Sequence, residues 1–105
     1  MQITQSSIME VAFTLGKASN AKKVILFGSH ASGLARGGSD VDFLVIAESP
    51  LPRYKRSRFL YSLFHPYPFP MDILVYTPNE IEEGLRDSTS FVATVLSEGK
   101  EVYVG

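Results

Sequence analysis

The stretch Val24-Ile25-Leu26-Phe27-Gly28-Ser29, followed after ten residues by Asp40-Val41-Asp42-Phe43-Leu44-Val45, decides how this chain is read. The first run is short, β-branched and aromatic, and it breaks at Gly28, which is how a buried strand reads. The second apolar run, Val41 to Ala47, opens with Asp40 and Asp42. Strand interiors disfavour Asp. Two aspartates two positions apart on a strand project from one face while Val41 points to the other, a geometry that suits a shared cation.

A third apolar run, Met71 to Tyr76, carries Asp72, so three of the four Asp of the chain mark the starts of its most apolar segments. Clustered carboxylates repel one another and resist burial, so either one is protonated or a hard divalent ion neutralises them. An oxygen-only donor set favours magnesium, with manganese as the alternative, over zinc. For Gly28-Ser29, Asp40-Asp42 and Asp72 to form one site they must lie along one sheet edge. That requires the first strand to run antiparallel to the second and the second parallel to the third. The connection 48–70 is long enough for the helix a parallel crossover needs. Gly28 lets the backbone approach an anion closely, and Ser29 offers a hydroxyl and an N–H near a short helix around His30, giving a phosphate seat beside the carboxylates.

Around this centre, Ile8, Val11, Ala12 and Leu15 fall at helical spacing, and Ser7 with Glu10 reads as a capping box, predicting a helix over 7–18. Pro50 and Pro52 mark a turn before a helix over Arg53 to Phe64, and His65-Pro-Tyr-Pro-Phe-Pro70 ends it. Thr77-Pro78-Asn79-Glu80 opens a helix to about Asp87. Ser88 or Ser90 caps another, stopped by Gly99, and Glu101 to Val104 reads as a last strand.

The chain has 105 residues and ten Lys plus Arg against eleven Asp plus Glu, for a net charge of −1. That length suits one domain, residues 1–105. The charge balance excludes nucleic-acid binding by bulk charge, so no nucleic acid is indicated. No Cys is present, which removes thiol nucleophiles, disulfides and thiolate zinc sites. The absence of a membrane-length apolar run and the polar start MQITQSS imply a soluble, cytoplasmic protein with no membrane partner.

Gly28-Ser29, ten residues, Asp40-Val41-Asp42 with Phe-Leu-Val, and a later strand bearing a third Asp together resemble the DNA polymerase beta-like nucleotidyltransferase superfamily. The short chain is most similar to its minimal nucleotidyltransferases, the MNT antitoxins paired with HEPN-domain toxins, over about residues 22–104. The resemblance implies an α/β (α+β) palm-like fold, a small mixed sheet flanked by helices. It also implies a two-metal reaction with magnesium and ATP. Asp40 and Asp42 would bridge the ions, Asp72 would hold the catalytic ion and help deprotonate the attacking hydroxyl, and Gly28 and Ser29 would hold the terminal phosphates. Minimal members transfer AMP from ATP to a tyrosine of the toxin, which makes a HEPN partner and a hetero-oligomer the expectation. Many relatives carry Arg after the Gly-Ser pair and again two residues later, where this chain has His30 and Ser32, with Arg36 as a substitute phosphate contact.

Other features read more plainly. Gly33, Gly37 and Gly38 serve loop flexibility, and His30 and His65 are ordinary loop or surface histidines. Arg53, Lys55, Arg56 and Arg58 form the solvated face of an amphipathic helix, in preference to an ATP-steering or acidic-partner patch. The 65–70 run is a stiff loop over the core, and Phe91, Val92, Val95 and Leu96 form a core stripe. Two other functions fit the same residues. One is an antitoxin that neutralises by occlusion with a site that only binds nucleotide, and the other is nucleotidyl transfer to a small molecule such as an aminoglycoside.

Overall fold

The computed structural model describes residues 3–35 and 39–105, so the loop positions Arg36, Gly37 and Gly38 lie outside the described residues. The elements are α1 (Gln5–Ser19), β1 (Lys23–Phe27), α2 (Ser29–Ser32), β2 (Val41–Ile46), α3 (Arg53–Arg56), α4 (Arg58–Tyr61), β3 (Met71–Tyr76), α5 (Pro78–Leu85), α6 (Phe91–Glu98) and β4 (Lys100–Val104). The strands form one mixed sheet in the order β3-β2-β1-β4. β1 pairs antiparallel with β2 and β4, and β2 pairs parallel with β3. This is the α/β architecture expected, with helices on both faces of the sheet.

Alternation along each strand sorts its side chains between two cores. Val24 and Leu26 of β1, Val41, Phe43 and Val45 of β2, and Ile73 and Val75 of β3 pack with Ile8, Val11, Ala12 and Leu15 of α1 and with Leu60 of α4. Ile25, Leu44 and Ile46 pack on the opposite face with Ile81 of α5 and with Val92 and Val95 of α6. Phe69, from the proline-rich loop, is fully buried in the first core beside Phe43, so that loop does cover the core. None of the described helices is long and apolar enough to cross a membrane.

Several local expectations are corrected. α1 begins earlier than 7–18, because Thr4, not Ser7, is its cap: the Thr4 hydroxyl accepts from the Ser7 N–H and Ser7 returns the bond, so Ser7 is the third helical residue. The helix over 53–64 is two short helices joined at Ser57, which is neither a strong helix former nor buried against the sheet. Arg56 leaves the solvated face assigned to it. Its guanidinium bonds the carbonyls of Leu51 and Val75 and the carboxylate of Glu80, and its side chain is only 9% exposed. α5 stops at Leu85 rather than Asp87, while Thr77, Pro78 and Glu80 form the capping box as expected. Ser90, not Ser88, caps α6. In the stripe expected to be core, Val92 and Val95 are buried but Phe91 is 46% exposed.

Candidate active site

The sheet brings three of the five sequence-selected residues to one edge. Phe27, the last residue of β1, faces Asp42 of β2, and Asp42 is in register with Asp72 of β3. Residues paired across a ladder point to the same side, so Phe27, Asp42 and Asp72 form one rung on the α5/α6 face. Gly28 follows immediately, at φ +75 and ψ −154, a conformation essentially reserved for glycine. A Cβ at Gly28 would collide with Oδ2 of Asp42. The glycine therefore serves close packing of backbone against carboxylate as well as the turn. Ser29 opens the single turn of α2, whose Ala31 and Ser32 N–H groups bond to the Gly28 carbonyl at 3.1 and 3.2 Å.

Asp42 and Asp72 lie side by side on this rung, close enough for the charge of one to bear on the other. Asp42 is held above the ordinary carboxylate value. Burial pushes its pKa up, the neighbouring charges of Asp72 and then Asp40 push it further, and His30 pulls only partly the other way. Asp40 precedes β2 rather than opening it, lies exposed in the loop, and acts on Asp42 through charge. His30 places its Nε2 3.0 Å from the carbonyl oxygen of Ser39, next to Asp40 in the chain.

Among the described residues, no group of three or more His, Cys, Asp or Glu is assembled to hold a metal ion. The donor chemistry nevertheless fits a hard cation. Magnesium is commonly bound by one or two carboxylates completed by substrate phosphates and water rather than by an all-protein cage. The raised pKa of Asp42, with burial and the charges of Asp72 and Asp40 among its causes, marks a place where negative charge is crowded and a cation would relieve it.

One residue of this region carries no signal in the sequence. The hydroxyl of Tyr61 in α4 accepts the N–H of Ile73 at 2.8 Å, on the outer edge of β3 and one residue from Asp72. Burial pushes the Tyr61 pKa up, the Ile73 N–H opposes that, and the charge of Asp72 adds to the rise. Nothing in the spacing of Tyr61 distinguishes it from the apolar residues around it.

Three solved structures share this fold. A toxin-antitoxin crystallised with AMP-PNP has a TM-score of 0.57 at 23% identity, covering 92% of this chain and 73% of that one. A Sulfolobus solfataricus protein assigned to the nucleotidyltransferases has a TM-score of 0.62 at 17% identity, covering 92% and 77%. A mutant of the MntA-HpeT toxin-antitoxin, with two aspartates changed to glutamate, has a TM-score of 0.52 at 20% identity, covering 98% and 75%. No curated protein matches the chain. The family model of the nucleotidyltransferase domain matches residues 8–104, nearly the whole length, and the chain belongs to the nucleotidyltransferase domain family.

Proposed function

We propose that this protein is the nucleotidyltransferase antitoxin of a toxin-antitoxin pair, transferring AMP from ATP to a tyrosine hydroxyl of a HEPN-domain partner. The observation that carries the reading is the Asp42–Asp72 carboxyl pair lying on the rung where Gly28 closes against Asp42. An unpaired carboxylate cluster is costly to hold in a fold, and a protein acting by occlusion alone has no use for one. Resemblance in fold to toxin-antitoxin proteins, one of them crystallised with AMP-PNP, supports the partner and the nucleotide.

Asp42 and Asp72 would hold magnesium, with Asp40 adding an oxygen from the loop that leads into β2. When bound, the metal supplies positive charge to the attacking and leaving oxygens. Gly28 presents open backbone, and Ser29 its hydroxyl and N–H, to the terminal phosphates. Asp72 accepts the proton of the acceptor hydroxyl. The acceptor oxygen bonds to the α-phosphorus as the bond to the bridging oxygen breaks, and pyrophosphate leaves. The net change is one phosphodiester formed on the acceptor and one phosphoanhydride broken.

The test is co-expression with the neighbouring gene product followed by intact-mass analysis of that partner. An adenylyl adduct that requires ATP, magnesium and intact Asp42 and Asp72 supports the reading. A partner that is neutralised without any adduct overturns it.

A further inference from the structure

We infer that Phe91, with Phe27, forms the seat on which the base of the nucleoside triphosphate stacks. The inference rests on the nucleotidyl-transfer reading above and specifies which part of the protein holds the nucleoside. Phe27 shares a rung and a face with Asp42 and Asp72, so its side chain projects to the same side of the sheet as the carboxylates. Phe91, the first residue of α6, meets it edge to face, with ring centroids 5.7 Å apart and planes at 84°. On its other side Phe91 leans on Tyr76 at 6.1 Å and 37°. The face of Tyr76 is already taken by the Arg53 guanidinium, 4.3 Å from the ring centroid, so the accessible aromatic surface of the strip belongs to Phe91, which is 46% exposed.

The start of the helix that carries the ring is also held in place. Ser90 caps α6 by accepting the Ala93 N–H at 3.0 Å and donates its hydroxyl to the Gly84 carbonyl of α5 at 2.6 Å, which fixes the start of the helix against its neighbour. Phe91 therefore loses little freedom when a flat ligand settles on it, and an aromatic anchored in this way is a prepared stacking surface. The strip starts at Phe27, on the rung of the carboxylates that would hold the magnesium, which is why the occupant is the base of the same nucleotide. A π face accepts any base, so the seat favours purines through stacking area and reads no base edge.

The test is calorimetric titration of the magnesium-loaded protein with ATP and with inorganic tripolyphosphate, for the wild type, Phe91→Ala and Phe91→Leu. Phe91→Leu keeps apolar cover at the site and loses the π face, and thermal unfolding of both variants reports on the fold. Stacking predicts that both variants bind ATP about tenfold more weakly and bind tripolyphosphate within about twofold of wild type. Equal ATP affinity in all three proteins overturns the seat and leaves nucleotidyl transfer standing, with Phe91 then a cover or a protein contact. Parallel weakening for ATP and tripolyphosphate also overturns it, because the ring would then act through the fold. Failure of the wild type to bind either ligand overturns both the seat and the transfer reading.

Discussion

Asp42 and Asp72 occupy one rung of the parallel β2–β3 pair, and the charge of Asp72 is among the causes that hold the Asp42 pKa above its ordinary value. The relationship is unfavourable for the fold at neutral pH, since burial and two nearby carboxylates all oppose ionisation of Asp42. Asp42→Asn removes that opposition and keeps an atom that can donate to Asp72. In metal-free buffer the variant is expected to melt no lower than wild type. Magnesium should raise the melting temperature of wild type and leave the variant unmoved. Transfer activity should fall at least about a hundredfold, the scale on which loss of one charge-stabilising group acts. Calorimetry with and without magnesium checks the first two outcomes, and a variant that loses stability without metal would contradict this account.

Gly28 and Gly33 both have positive φ, yet they predict different outcomes. At Gly28 a methyl group meets the Asp42 carboxylate, whereas at Gly33 it meets open space. Gly28→Ala is expected to cost about 2–3 kcal/mol from strain and collision together, and to abolish transfer. Gly33→Ala should cost about 1 kcal/mol from backbone strain alone and leave the rate within about twofold. Urea unfolding and a transfer assay on the two variants separate the effects.

Requiring Gly28, Asp42 and Asp72 to share one sheet edge dictates that β1 and β2 are antiparallel and β2 and β3 parallel, and the register Phe27–Asp42–Asp72 is that arrangement. This much was legible because strand alternation and connection length are properties of the chain itself. What escaped depends on partners distant in sequence. Arg56 reads as one of four surface cations until Glu80 and the Leu51 and Val75 carbonyls are seen around it. Phe91 reads as core because it sits beside Val92, but as the first residue of α6 it is 46% exposed. Asp40 reads as the strand's first residue, but β2 pairing begins one residue later.

The Arg56–Glu80 pair ties α3 to the cap of α5 and predicts an acid-sensitive stability. Hydrogen bonding to Arg56 is the main cause that lowers the Glu80 pKa from 4.5 to about 2, against an opposing cost of burial, with the Thr77 N–H and the Arg53 charge adding to the drop. A depressed carboxylate pKa stabilises the fold fully above the unfolded value, and the contribution disappears as pH falls through the folded one. The window here runs from about pH 4.5 down to about 2. Because the Glu80 side chain is 26% exposed, solvent screening limits the contribution to about 1–2 kcal/mol. Glu80→Gln should therefore lie that far below wild type in urea unfolding at pH 6, with the gap closing at pH 2. A gap unchanged across that range would show that the ion pair is not its source.

Tyr61 holds the outer edge of β3 at the residue after Asp72, since its hydroxyl is the acceptor for the Ile73 N–H. β2 occupies the other side of the strand, so no neighbouring strand can take over that donor. Tyr61→Phe leaves the ring in place and the N–H without its partner, and a partly buried donor left unpaired costs about 1–2 kcal/mol. The same change loosens the backbone that carries Asp72. The expected result is faster hydrogen exchange at the Ile73 amide and a transfer rate lowered several-fold with KM for ATP nearly unchanged, since the phosphates would be held from β1 and α2 rather than from β3. Equal loss in kcat and KM would instead place the effect in the nucleotide seat, and unchanged exchange at Ile73 would show that the hydroxyl does not anchor the strand.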